Sequence, residues 1–279
     1  IIKFMKNQAF SLIEISVVIL VIGILIAGVS SGIDLYDDMN ITRAKSLTQN
    51  SRVGRIPDLL VWLESVSDKS FSKSEAKDGQ SLNSWQDINP QVINKATITT
   101  SGTKPVYQQK GINNLPVVKF SGNGCFIINY NNFSGEKTKT IFAVLYETQK
   151  NSASGSYLFD NQSVPPQFAF ALSTDFKGQM YAGAFLTNLT ISLKKPYILT
   201  LVYNENNSFF RVNASASPTG NIGTNQMNNS ISLGGSLCTA NTDELFGQIG
   251  EFIVYDRVLR ESEYLDVEAY LAKKWMIKF

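Results

Sequence analysis

Glu14 is the single ionisable residue in a long apolar run, residues 9–32 (AFSLIEISVVILVIGILIAGVSSG), and a carboxylate there calls for a partner or a task. On insertion scales it costs about 2.5–3.5 kcal/mol at the centre of a bilayer and less near an end. The chain has no histidine, which removes the commonest general base and metal ligand, and with it Ser-His-Asp and Cys-His catalysis. Two cysteines, Cys125 and Cys238, cannot form a zinc site by themselves. They either close one disulfide in an exported domain, which would stabilise by about 2–4 kcal/mol across so long a loop, or remain two small buried thiols.

The element that must position Glu14 is a helix. Ile15 to Val29 are apolar, and residues 33–49 (IDLYDDMNITRAKSLTQ) contain no Pro or Gly. Ile33, Tyr36, Asn40, Ala44 and Leu47 recur there at helical spacing, and Gly54 and Pro57 supply the stop. Some forty residues at 1.5 Å each span about 60 Å, twice a bilayer's hydrocarbon core, so one half of the helix is of membrane length and the other is amphipathic. A secretory signal peptide cut near Ala27-Gly28-Val29-Ser30 is a competing reading. The acid inside the apolar run and the helical pattern continuing past residue 30 count against it.

A short basic leader with Lys3 and Lys6, a small residue, then Phe10-Ser11-Leu12-Ile13-Glu14 and an apolar helix resembles the type IV prepilin family, which includes the pseudopilins of type II secretion. The resemblance implies a leader over residues 1–9, cleavage between Ala9 and Phe10 by a prepilin peptidase, and N-methylation of Phe10. Ala9 stands where the family has Gly, so slower cleavage is expected. The resemblance also gives Glu14 a partner, the new ammonium of a neighbouring subunit's Phe10, reached when two helices are axially offset. Such an attraction is much stronger in low dielectric than in water. Lys3 and Lys6 place the leader in the cytoplasm and the rest of the chain outside it. Met5 is a candidate first residue.

Residues 10–53 are thus expected to form the stalk, 54–57 a linker and 58–279 a head. The head reads as short β runs: 116–120, 125–130, 139–147, 156–160, 168–172, 179–185, 189–193, 197–204, 208–213, 231–235 and 250–256, punctuated by turn residues. The expected fold class is therefore mainly β, an antiparallel sandwich behind a long N-terminal helix, with a short C-terminal helix. YILTLVY (197–203) is apolar on both faces and should be a central strand. Tyr264, Val267, Leu271 and Trp275 form a helical stripe expected to pack an edge of the sandwich. Residues 214–230 read as a mobile connection able to reach outward.

The pieces LLVWLE (59–64), DGQSLNSWQD (78–87), residues 104–122, residues 198–213 and GQIGEFIVYDRVLRESEYLDVEAYLAKKW (247–275) resemble, in their order, the LamG-like jelly roll of the concanavalin A-like lectin and glucanase superfamily. Glucanases of that superfamily carry a Glu-x-Asp-x-x-Glu strand pair, which this sequence lacks; Asp243, Glu244 and Glu251 have the wrong spacing. The resemblance therefore implies a non-catalytic head that binds a glycan or a protein. The three tryptophans invite a sugar-platform reading, but Trp62 and Trp275 read as core residues, and Trp85, flanked by Ser84 and Gln86, is left open between the two. No cofactor is required. Lectin-type jelly rolls often hold Ca²⁺, and Asp78, Asp87, Asn113, Asn114, Asn123, Asp160, Asn161, Asp175, Asn241 and Asp243 are loop oxygens available to it, although no calcium-loop spacing occurs.

The formal charge is +2, falling to zero with the loss of Lys3 and Lys6, and no basic cluster exceeds a pair, so nucleic-acid binding is not expected. Expected partners are the prepilin peptidase, other pilin or pseudopilin subunits and the inner membrane, with the head in the periplasm or on a surface filament. A membrane-anchored lectin that never polymerises is the alternative.

Overall fold

The computed structural model describes residues 11–130, 137–149, 155–161, 167–236, 238 and 243–279. Helix α1 (Leu12–Asn50) runs without interruption through the proline-free segment. The chain divides into one compact unit ending at Thr42 and another from Arg43 to Phe279, so the last two turns of α1 belong to the head's unit. There Ala44 and Thr48 are buried and Leu47 is half-buried, while Ile33 and Tyr36 of the other unit are exposed. Ala44 is thus buried as the stripe requires, and in the last turn Thr48, whose hydroxyl donates to the Ala44 carbonyl, is buried more fully than Leu47.

Among the described residues the head has fifteen strands: β1 (Leu59–Glu64), β2 (Thr97–Gly102), β3 (Val106–Gln108), β4 (Val117–Ser121), β5 (Gly124–Asn129), β6 (Lys139–Gln149), β7 (Ser156–Asp160), β8 (Ala169–Leu172), β9 (Lys177–Tyr181), β10 (Phe185–Thr190), β11 (Tyr197–Tyr203), β12 (Phe209–Val212), β13 (Ser215–Ala216), β14 (Ser230–Leu233) and β15 (Phe246–Tyr255). One antiparallel sheet runs β13-β12-β11-β6-β15-β4-β3, with β1 also paired to β15. The other runs β10-β9-β8-β7-β14-β5-β2. Together they make the expected sandwich.

Aromatic side chains fill the space between the sheets. Phe168 stacks on Tyr203 with ring centroids 4.0 Å apart, and Phe159 meets Phe252 from the opposite sheet. Tyr197, Leu199, Leu201 and Tyr203 of β11 point into this core. Ile198, Thr200 and Val202 alternate onto the other face, which is covered by α2 (Glu261–Trp275). Both faces of β11 are buried for that reason.

Helix α2 corrects one expectation. It lies across the outer face of the larger sheet, not along an edge: Glu268 accepts from Thr200 of β11, and Trp275 donates to Glu251 of β15. A Cβ at Gly250 would lie 2.4 Å from Trp275 Cη2, a clash, so glycine is what lets α2 seat this closely on β15. Strand β15 changes partner at the same point, pairing β4 before Gly250 and β1 after it.

Residues 214–230 also depart from expectation. Ile222 and Met227 are buried, and the Ile222 carbonyl accepts from the Ala182 and Ala184 amides, so the segment folds back over the sandwich. The run 179–185 is two strands, broken at Gly183 where φ is 109°, and the strand expected over 189–193 already ends at Thr190.

Candidate functional site

The N-terminal unit is built around Ser11 and Glu14. Ser11 precedes the first helical residue, and its Oγ accepts the Glu14 amide at 3.2 Å. Glu14 reaches back, and its Oε2 accepts the Ser11 amide at 2.7 Å. This reciprocal pair is the capping box of an S-x-x-E sequence, and it satisfies two of the backbone donors that a helix start leaves open. The sequence carried that signal in Ser11-Leu12-Ile13-Glu14, apart from any membrane argument. Beyond it, Ile15 to Val29 are exposed along a helix long and apolar enough to cross a membrane. Ala9 and Phe10, the expected cleavage pair, lie outside the described residues.

In the head, the base of the larger sheet holds a closed polar cluster that the sequence did not announce. Glu64 and Glu251 stand opposite each other on β1 and β15, and the Lys274 ammonium of α2 bridges them at 2.5 and 2.8 Å. All three are fully buried. Trp62 Nε1 and the Tyr270 hydroxyl donate to Glu251 Oε1 at 2.7 and 2.8 Å, and Trp275 Nε1 donates to Oε2 at 2.9 Å. The Ser67 amide donates to Glu64 Oε2 at 2.5 Å, and Thr48 of α1 lies 3.2 Å from the Tyr270 hydroxyl. Burial raises the Glu64 carboxyl above its ordinary value, opposed by Lys274 and reinforced by Glu251. The arrangement ties the end of α1, β1, β15 and α2 into one hydrogen-bonded unit. Each of the four carboxylate oxygens has at least one donor, so the cluster holds charge in place where an unpaired charge would be costly.

The tryptophans fall accordingly. Trp85, left open by the sequence, is a core residue: it is fully buried and donates to the Glu64 carbonyl; Trp275 is equally buried, and Trp62 nearly so. Open concavities lie elsewhere. One of about 420 Å³ sits beside β3 and β4, lined by Asp78, Tyr107, Gln108, Gln109, Lys110 and Lys119. Another, of about 470 Å³, lies beside β1.

Residues 4–30 match the family model described as the prokaryotic N-terminal methylation motif. That is the segment containing Lys6, Ala9, Phe10 and the Ser11–Glu14 cap. No curated protein matches the chain. Among solved structures, it is similar to domain 4 of AbnA, an extracellular arabinanase from Geobacillus stearothermophilus in complex with arabinotriose, at 14% identity and a TM-score of 0.52, covering 76% of this chain and 98% of that one. It is similar to a Trypanosoma rangeli sialidase mutant displaying trans-sialidase activity, at 13% identity and a TM-score of 0.56, covering 86% of this chain and 38% of that one. The binding domain of botulinum neurotoxin DC in complex with rat synaptotagmin II gives 14% identity and a TM-score of 0.53, over 78% of this chain and 52% of that one. The chain thus spans 38% of the sialidase and about half of the neurotoxin domain. At these identities the likeness is one of fold, a jelly-roll sandwich.

Cys125 and Cys238 form a disulfide with their Cα atoms 5.4 Å apart, joining β5 to the segment after β14. The loop oxygens singled out for Ca²⁺ are spread over the head. Asp87 accepts the Trp62 and Asn89 amides, Asp78 the Gln109 amide and Asn161 the Gln167 amide, while Asn113 donates to the Trp275 carbonyl. Only the Asp87–Asn89 bond is a local Asx turn; those to Trp62, Gln109 and Trp275 tie a loop to a distant segment of the chain. Asn241 lies outside the described residues. Among the described residues, no three Asp, Glu or Cys side chains gather as a metal-holding group.

Proposed function

We propose that this chain is a type IV pilin-like or pseudopilin subunit, a minor one, whose α1 enters a filament and whose LamG-like head binds a glycan or a protein without catalysis. The observation that carries the reading is the methylation-motif match at residues 4–30, followed by a helix whose apolar side chains from Ile15 to Val29 have no partner in the monomer. Packing among neighbouring helices would cover them. The Ser11–Glu14 cap supports a helix that starts at the cleavage point, so a new Phe10 amine would lie close to its own first turn and to a neighbour's Glu14. The non-catalytic reading of the head is supported by the engagement of Glu64 and Glu251 with Lys274, Trp62, Tyr270 and Trp275, which leaves neither free for acid or base work.

One observation favours the alternative of a membrane-anchored lectin: Glu14 already has a local partner in Ser11, so it has work without polymerisation. Mass spectrometry of the N-terminal peptide from protein made in a piliated host separates processing from none. A methylated Phe10 terminus is expected. A terminus near Ser30, or an uncut leader, would overturn the filament reading.

A further inference from the structure

The concavity beside β1 is lined by Gln49, Arg55, Trp62, Lys69, Ile88 and Pro90 among others, and its chemistry divides into two sides. Resting on the reading of the head as a binding module, we propose that it binds a carboxylate-bearing pyranose, a uronate of an acidic polysaccharide.

The apolar side is Trp62, Ile88 and Pro90. Gly54 lets these close up: a Cβ at that position would lie 2.7 Å from Pro90 Cγ and 3.6 Å from Trp62 Cζ3. Trp62 is 5% exposed and its indole N–H is committed to Glu251, so it closes the back of the cavity with carbon, and the C–H face of a sugar would lie against Ile88 and Pro90 in front of it.

The polar side carries Arg55 and Lys69, both exposed, and among the described residues neither side chain has an ion pair or hydrogen bond. The carboxylates around them are already engaged. Glu64 is held by Lys274 at 2.5 Å, Asp68 by Lys45 at 2.6 Å, and Asp87 by the Trp62 and Asn89 amides at 3.0 and 2.9 Å. Arg55 and Lys69 are therefore the uncommitted charges at this site, and the Gln49 amide is an uncommitted hydrogen-bonding group beside them. Two cations in a concave, partly apolar site attract an anion, and a guanidinium pairs with a carboxylate through two parallel bonds. The volume of about 470 Å³ lies within the range of small-ligand clefts. Inorganic anions would make no use of the apolar wall, and a neutral sugar would make none of the cations.

The test is calorimetric titration of the full chain in detergent micelles with trigalacturonic acid, galactotriose and inorganic sulfate. Saturable binding of trigalacturonate is expected, with galactotriose and sulfate at least tenfold weaker. The exposed double variant Arg55→Gln/Lys69→Gln should weaken trigalacturonate at least tenfold, and Lys119→Gln at the other concavity should leave it unchanged. Absence of saturable binding, equal affinity for galactotriose or sulfate, or an unaffected double variant would overturn the proposal. Filament incorporation is scored separately, in filaments sheared from cells making the same chains: a chain that incorporates but does not bind trigalacturonate refutes this site and leaves the filament reading intact.

Discussion

Glu14 and Ser11 hold each other at the start of α1, the carboxylate accepting the Ser11 amide at 2.7 Å and the Ser11 hydroxyl oxygen accepting the Glu14 amide at 3.2 Å. Under the filament reading, Glu14 therefore has two tasks that differ chemically. Capping needs only a hydrogen-bond acceptor. Neutralising a neighbour's ammonium needs a negative charge.

Capping alone can be isolated at Ser11. Ser11→Ala removes one of the two bonds and should cost the helix start about 1 kcal/mol while leaving the charge in place. Hydrogen exchange of the first-turn amides in micelles should show faster exchange at Glu14, with filament incorporation retained. Lost incorporation would mean that the cap itself is what assembly requires.

Lys274 neutralises two opposed carboxylates inside the head. Lys274→Met leaves Glu64 and Glu251 facing each other in a buried site, and the expected loss is about 3–5 kcal/mol. A urea titration of the full chain in micelles should show the midpoint fall accordingly. A loss below about 1 kcal/mol would mean the cluster is not the fastening described here.

Glu147 gives a pH signature. Its carboxyl is buried and pushed up to about 7 by that burial, with the Tyr197 hydroxyl, 2.5 Å away, opposing the shift. The folded state therefore holds its proton more tightly than the unfolded chain, whose carboxyl stays near the usual 4.5. Stability from this group is fully present below that value and is lost as pH rises to about 7, a change of about 3 kcal/mol. Glu147→Gln should therefore raise the Tm at pH 8 and leave it nearly unchanged at pH 4. A Tm difference that does not vary with pH would contradict the assignment.

The disulfide closes a sequence separation of 113 residues. Reduction, or the Cys125→Ser/Cys238→Ser variant, should lower stability by about 2–5 kcal/mol. Thermal unfolding with and without a phosphine reductant measures it, and an unchanged Tm would place the bond's value elsewhere than in stability.

Some of this was legible in the sequence because the signal was local. The proline-free, periodic stretch through residue 49 marked α1, and the doubly apolar YILTLVY marked β11 as central, for a reason now visible in the aromatic core on one side and α2 on the other. The cap was equally local, an S-x-x-E ahead of an apolar run. The cluster at the head's base was not legible. Glu64 and Lys274 are 210 positions apart, and the apolar neighbours of Glu64 in LLVWLE gave no hint that a charge there was paired. Trp85 could not be placed from its polar neighbours Ser84 and Gln86, and its ring packs between Phe71 and Phe126. Residues 214–230 looked like a mobile loop by composition, and Ile222 and Met227 are what bring it back onto the core.

Glu14→Gln gives the most direct test of the central claim, because glutamine keeps an oxygen for the Ser11 amide and discards the charge. The measurement is the amount of chain in sheared, purified filaments, compared with the amount in the membrane fraction of the same cells. Normal membrane levels are expected, with incorporation reduced at least tenfold. Incorporation at the level of the unchanged chain would contradict that claim, leaving Glu14 as a helix cap and α1 as a plain anchor.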